Sequence, residues 1–165
     1  MLHNSTLKIN RTRNRTKSFG GFSLVEMVIV IGIFAILFSI IISSFFRFRD
    51  AGVLNATADD LASLFEDAHN ATLASRDDSV YGVNIASTSA TLFKGSTYTF
   101  GAVTNKVITL SSTVTATSTI PSGNFVFIRL TGATDNTGTT TISLIKDPNQ
   151  KRVIYVGSMG TIERP

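Results

Sequence analysis

Glu26 is a carboxylate inside a run otherwise free of charge from Phe22 to Phe46 (FSLVEMVIVIGIFAILFSIIISSFF), and the next charged residue is Arg47. On a helix facing lipid such a group costs on the order of 2.5–3.5 kcal/mol, so intramembrane carboxylates are rare and usually have a partner. A second account needs none. Close to the helix start, the side chain can snorkel to the headgroups and gain from the positive end of the helix dipole. Directly before the run stand two glycines, Gly20 and Gly21, and before those five cations, Lys8, Arg11, Arg13, Arg15 and Lys17, with no acidic residue among them.

Other residues capable of chemistry are few. The two histidines are His3 and His69, so a Ser-His-Asp triad would have to be built on His69. That residue lies among Glu66, Asp67 and Asn70, which reads as a solvated helix face and makes it a surface histidine. The acidic pairs Asp59/Asp60, Glu66/Asp67 and Asp77/Asp78 lack the alternating oxygen ligands and turn glycine of a calcium loop. They read as a solvated face. With no cysteine in the chain, thiol catalysis, thiolate metal sites and disulfides are excluded. No catalytic group, cofactor or metal site is expected, and the chain does not read as an enzyme.

The elements that must carry these residues divide the chain of 165 residues into an anchor and a polar domain. The apolar run of about 25 residues would extend about 37 Å as a helix, enough to cross a hydrocarbon core of about 30 Å. Cations concentrated ahead of it, with only Arg47 and Arg49 close behind, place the N-terminus in the cytoplasm and the C-terminal domain outside. An ordinary secretory signal would put its small residues after the apolar core, whereas here they precede it. Removing the basic leader takes the formal charge from +4 to −1, so affinity for polyanions in general loses its support.

Beyond the run, Leu54, Ala58, Leu61, Phe65, Ala68, Thr72 and Ser75 recur at intervals of three and four, predicting an amphipathic continuation of the helix that ends near Arg76. Gly52 and Asn55 weaken it just past the membrane, where a kink or local melting is expected. From Asp78 onward the period changes to two. Strands are expected in 79–87, 90–95, 97–101, 106–111, 124–130, 139–146 and 152–158, with a hairpin between the second and third, and turns at 131–138 and 147–150. One long helix followed only by strands implies an α+β fold, with the helix packed on an antiparallel sheet. The expected organisation is a leader over 1–21, a long helix over 22–76 with its membrane part at 22–46, and a β-rich domain over 77–165.

A basic leader ending in glycine, then Phe22, Ser23, Leu24, Val25 and Glu26 and an unbroken apolar helix, resembles the N-terminal signature of type IV prepilins and of the pseudopilins of type II secretion. The helix with LASLFEDAHNATLASRDDSVYGVNI, followed by NFVFIRL, TTTISLI and RVIYVGSMGTIER, looks more like the GspH/FimT type of minor pseudopilin than a major pilin. The resemblance implies a pilin-like fold. It also implies cleavage between Gly21 and Phe22 by a membrane-embedded prepilin peptidase, N-methylation of the new Phe22 amine, and pairing of Glu26 with the N-terminal amine of a neighbouring subunit. The partners so implied are other pilin or pseudopilin subunits, the peptidase/N-methyltransferase, and membrane lipid before assembly. The C-terminal disulfide pair of many major pilins is missing here, as is the helix proline of some.

Two alternatives stand beside the structural subunit. Lys146, Lys151 and Arg152 flank the 147–150 turn and Arg164 lies near the end, a small basic patch that could touch phosphates, and some minor pilins of the FimT kind take part in DNA uptake. The other is a permanently anchored single-pass protein whose β domain binds something outside the membrane without cleavage.

Overall fold

A computed structural model describes residues 20–164, with the side chains of Ser43 and Ser44 left aside. The five leader cations and His3 lie outside the described residues. The chain divides into two compact units, one up to Ile41 and one from Ile42 onward, and a single helix, α1 (Leu24–Leu73), belongs to both. The helix is continuous through Gly52 and Asn55, so the expected weakness there produces no break.

In the first unit every large apolar residue from Phe22 to Ile41 is exposed. The helix is long and apolar enough over this stretch to cross a membrane. Phe34 and Phe38, one turn apart, hold their rings 6.2 Å apart.

In the second unit α1 buries the predicted stripe: Leu54, Ala58, Leu61, Phe65, Ala68 and Thr72 are all shielded from water. Thr72 tolerates burial because its hydroxyl is satisfied locally, donating to the Ala68 carbonyl at 2.9 Å and accepting the Tyr81 N–H at 2.9 Å. The helix stops at Leu73 rather than Arg76. Ser75 takes a left-handed backbone (φ 48°), and a three-residue 3₁₀ turn, Arg76–Asp78, leads into the strands.

Among the described residues eight strands form two antiparallel sheets. β1 (Tyr81–Ile85), β2 (Ser89–Lys94), β3 (Lys106–Thr109) and β5 (Asn124–Val126) make one, in the order β3-β2-β1-β5. β4 (Val114–Ser118), β6 (Gly138–Leu144), β7 (Lys151–Val156) and β8 (Ile162–Glu163) make the other, in the order β4-β6-β7-β8. Both sheets and α1 share one core: Leu61, Phe65, Val83, Phe125, Ile142 and Ile154 are completely buried within it. At its centre the Phe65 and Phe125 rings meet edge to face at 5.1 Å. Gly82 on β1 is required by close approach, since a Cβ there would lie 2.5 Å from the Phe125 carbonyl oxygen and 2.6 Å from the Phe93 ring.

The expected strand over 97–101, and with it the hairpin from 90–95, is absent. Gly95 (φ 106°) and Gly101 (φ 74°) turn the backbone, and Tyr98 folds back onto Phe93 with ring centroids 5.5 Å apart. The Asn105 side chain donates to the Thr99 carbonyl at 2.9 Å, closing the loop, so β2 pairs instead with β3.

Candidate functional site

Residues 20–23 precede the helix in non-helical backbone. Among the described residues, no atom beyond the chain neighbours lies within 4 Å of where a Cβ would stand on Gly20 or Gly21, and Phe22 is exposed. Ser23 occupies the N-cap position, its hydroxyl 3.5 Å from the Glu26 N–H, and Ser23-Leu24-Val25-Glu26 has the residue types of a capping box. Glu26 therefore sits in the first turn of α1, an acidic group at the positive end of the helix dipole, and it is exposed. What the geometry offers is a glycyl peptide, an exposed phenylalanine and a carboxylate one turn further on. All three lead into a helix whose large apolar side chains are exposed up to Ile41.

Of the four cations Lys146, Lys151, Arg152 and Arg164, the two arginines turn onto α1. Arg152 turns onto the helix, its Nε donating to the Asn55 side chain at 2.9 Å. Arg164 does the same with an ion pair to Asp59 at 2.9 Å and a longer one to Glu66 at 3.8 Å. Together they border a cavity of about 260 Å³ against α1 and β7. Lys146 and Lys151 are left exposed at the β6–β7 turn.

Sequence reasoning missed this pairing because it placed the acids on a solvated face. They are exposed, yet most are spoken for: Asp67 pairs with Lys106 at 2.9 Å, Asp77 with Lys94 at 3.4 Å and Asp78 with Arg129 at 2.6 Å. The i, i+7 spacing of Asp59 and Glu66 was the available signal, since it puts both on one helix stripe within reach of a single arginine. The Tyr81 hydroxyl donates to Asp77 at 3.0 Å, and that bond, aided by Lys94, holds the Asp77 carboxyl below its ordinary range. Burial, with Asp77 adding to it, pushes the Tyr81 phenol up.

His69 is not a free surface histidine. It is half-buried, with its ring 5.3 Å from that of Phe127, and Gly132 and Gly160 pack against its edge. Both glycines have left-handed backbones, φ 68° and φ 75°, and a Cβ on either would drive into the imidazole. Among the described residues no group of three or more metal-ligating side chains is assembled.

Residues 16–42 match the family model of the prokaryotic N-terminal methylation motif. The N-terminal part of the chain carries this motif. Its fold is similar to that of the type IV minor pilin FimU of Pseudomonas aeruginosa, at 14% identity and a TM-score of 0.55 over 68% of this chain and 87% of that one. It is likewise similar to the minor pseudopilin EpsH of the type 2 secretion system of Vibrio cholerae, at 12% identity and a TM-score of 0.53 over 68% of this chain and 95% of that one. No curated protein sequence matches. The pilin-like fold, a long N-terminal helix packed against antiparallel sheets, is thus common to this chain and both of those proteins.

Proposed function

We propose that this pilin-like chain is a structural subunit, a minor pilin or pseudopilin, of a type IV pilus or a type II secretion filament. The observation that carries the reading is the exposed apolar helix that has Glu26 in its first turn, one turn after the Gly21–Phe22 peptide. Before assembly the helix spans the inner membrane with residues 1–21 in the cytoplasm and the β domain outside. A prepilin peptidase cuts after Gly21 and methylates the Phe22 amine. In the filament the apolar helices pack on one another, and Glu26 pairs with the Phe22 amine of a neighbour, a cation that exists only after processing. The chemistry is economical: a charge expensive in lipid is neutralised only in the correctly registered assembly.

The N-terminus of the protein from membranes of the native host, read by mass spectrometry, tests the cleavage: a chain beginning at N-methylated Phe22 is expected. Retention of residues 1–21 beside an active peptidase would sink the reading in favour of a permanently anchored protein. Glu26→Val separates insertion from assembly, with the variant expected in the membrane fraction and reduced at least about tenfold in sheared filaments. DNA contact through Lys146, Lys151, Arg152 and Arg164 gains nothing from the structure, which engages both arginines with α1.

A further inference from the structure

The strands that end the two sheets are β3, β5, β4 and β8, and all but β3 are closed off or very short. The outer side of β4 is met by the β1–β2 turn, the Ala116 N–H donating to the Ser87 carbonyl at 3.1 Å. The outer side of β5 is met by the Asn136 side chain, which donates to the Asn124 carbonyl at 3.1 Å. β8 is only two residues long. At β3 the Leu110 N–H donates to the Thr88 carbonyl at 2.9 Å, so in this antiparallel register Ile108 and Lys106 also turn their backbone groups toward β2, and Val107 and Thr109 turn theirs outward. Both residues are exposed, and among the described residues nothing hydrogen-bonds to those outward N–H and C=O groups. Open edges are usually blunted by a proline, a bulge or an exposed lysine. β3 has neither proline nor bulge, and its lysine, Lys106, is drawn onto Asp67 of α1.

Beside the open edge lies a groove of about 360 Å³, lined on one side by Val53, Ala56, Thr57 and Asp60 of α1 and on the other by residues 108–111. Successive side chains of a strand alternate between faces, so an added strand would send every second side chain into this groove. The loop that leads into β3 exposes Phe100 and Val103. Asp60 supplies the charge. Asp59 and Glu66 pair with Arg164 and Asp67 pairs with Lys106, whereas Asp60 has no ion pair among the described residues.

We propose that the outer edge of β3 receives an extended segment of a different filament subunit as a fifth strand. Its backbone bonds to Val107 and Thr109, its alternate apolar side chains occupy the groove, and a lysine or arginine among them meets Asp60. A second copy of this chain is the poorer occupant, because pairing β3 with β3 sets two Asp60 carboxylates along one four-residue seam with no cation to offset them. This inference rests on the subunit reading, which supplies the neighbour.

Amide exchange tests the edge directly. The full-length protein is compared in detergent and in sheared filaments and membranes of the native host, with deuterium uptake localised by fragmentation mass spectrometry. The Val107 and Thr109 amides are expected to exchange at least about tenfold more slowly in the host material. Equal exchange in both forms overturns the proposal. Because the chain has no cysteine, Thr109→Cys carries a single benzophenone label. Its cross-links are expected to join a different polypeptide in that same material; cross-links only to a second copy, or none, overturn the proposal. Val107→Pro removes an N–H that serves no bond within the fold, so it is expected to keep the β2–β3 pairing, lose the protection at Thr109 and lower incorporation into filaments about tenfold. Should the prolyl variant misfold, Asp60→Lys takes its place with the same loss expected, and unchanged incorporation of whichever variant folds overturns the proposal. The N-terminus is read in the same cells. A chain that keeps residues 1–21 counts against the subunit reading, and one that begins at Phe22 with a freely exchanging edge counts against this strand addition only.

Discussion

His69 brings three segments to one point: the last turns of α1, the loop containing Gly132 and the loop containing Gly160. A ring can be met this closely only by residues without a Cβ, and both glycines also need the left-handed backbone they adopt. Gly160→Ala therefore fails on two counts, and a loss of more than about 1 kcal/mol is expected in denaturant unfolding of the detergent-solubilised protein. Asp77 and Tyr81 predict a pH dependence of opposite sign at the two extremes. The Asp77 carboxyl lies below its ordinary 3.8 in the fold, so its contribution is complete above that value and is lost as pH falls through the folded pKa. The Tyr81 phenol lies above its ordinary 10.0, so its contribution is complete below that value and is lost as pH rises toward the folded pKa. Asp77→Asn should flatten the acid limb and move the Tyr81 phenolate transition, followed by ultraviolet absorbance, to lower pH. An unmoved transition would mean that burial alone sets it.

At the scale of elements, periodicity was legible wherever one face had to be dry. The stripe from Leu54 to Thr72 is buried as its spacing demanded; β1, β3 and β5 fall within the segments that alternation marked out, and β2, β6 and β7 begin one residue ahead of theirs. β4, with the sequence VTATS, was missed because its exposed face is threonine and its buried face only Val114 and Ala116, too little contrast to stand out from a polar loop. The segment 124–130 was read too long: Phe127 is still buried and its N–H still reaches the Tyr81 carbonyl at 3.1 Å, but the chain then turns away through Leu130. At the N-terminus, glycine, phenylalanine and carboxylate were legible as a unit because their spacing is local. The pairing of Arg164 with Asp59 was not, since it joins residues 105 positions apart. That pair is exposed, so Arg164→Ala should cost only about 0.2–1 kcal/mol and do so less at high salt, with the loss concentrated in faster amide exchange of β8.

Across the whole β domain, two sheets and a helix stripe share one core. Phe65→Ala would leave a cavity facing Phe125 inside the shared core, and a loss of about 3–5 kcal/mol is expected, measured as a shift in denaturation midpoint at constant slope. With no disulfide in the chain, no covalent staple offsets such a loss. The stretch of α1 between Asn55 and His69 is gripped at both ends, by Arg152 near its start and by the two glycine loops at its finish, with Leu61, Ala62 and Phe65 buried between. A pull along the helix axis must then slide that whole length past both sheets at once, and the load falls on many contacts in parallel shear instead of peeling them one by one. Tension carried along α1 thus meets a joint whose strength grows with the length of helix inside it.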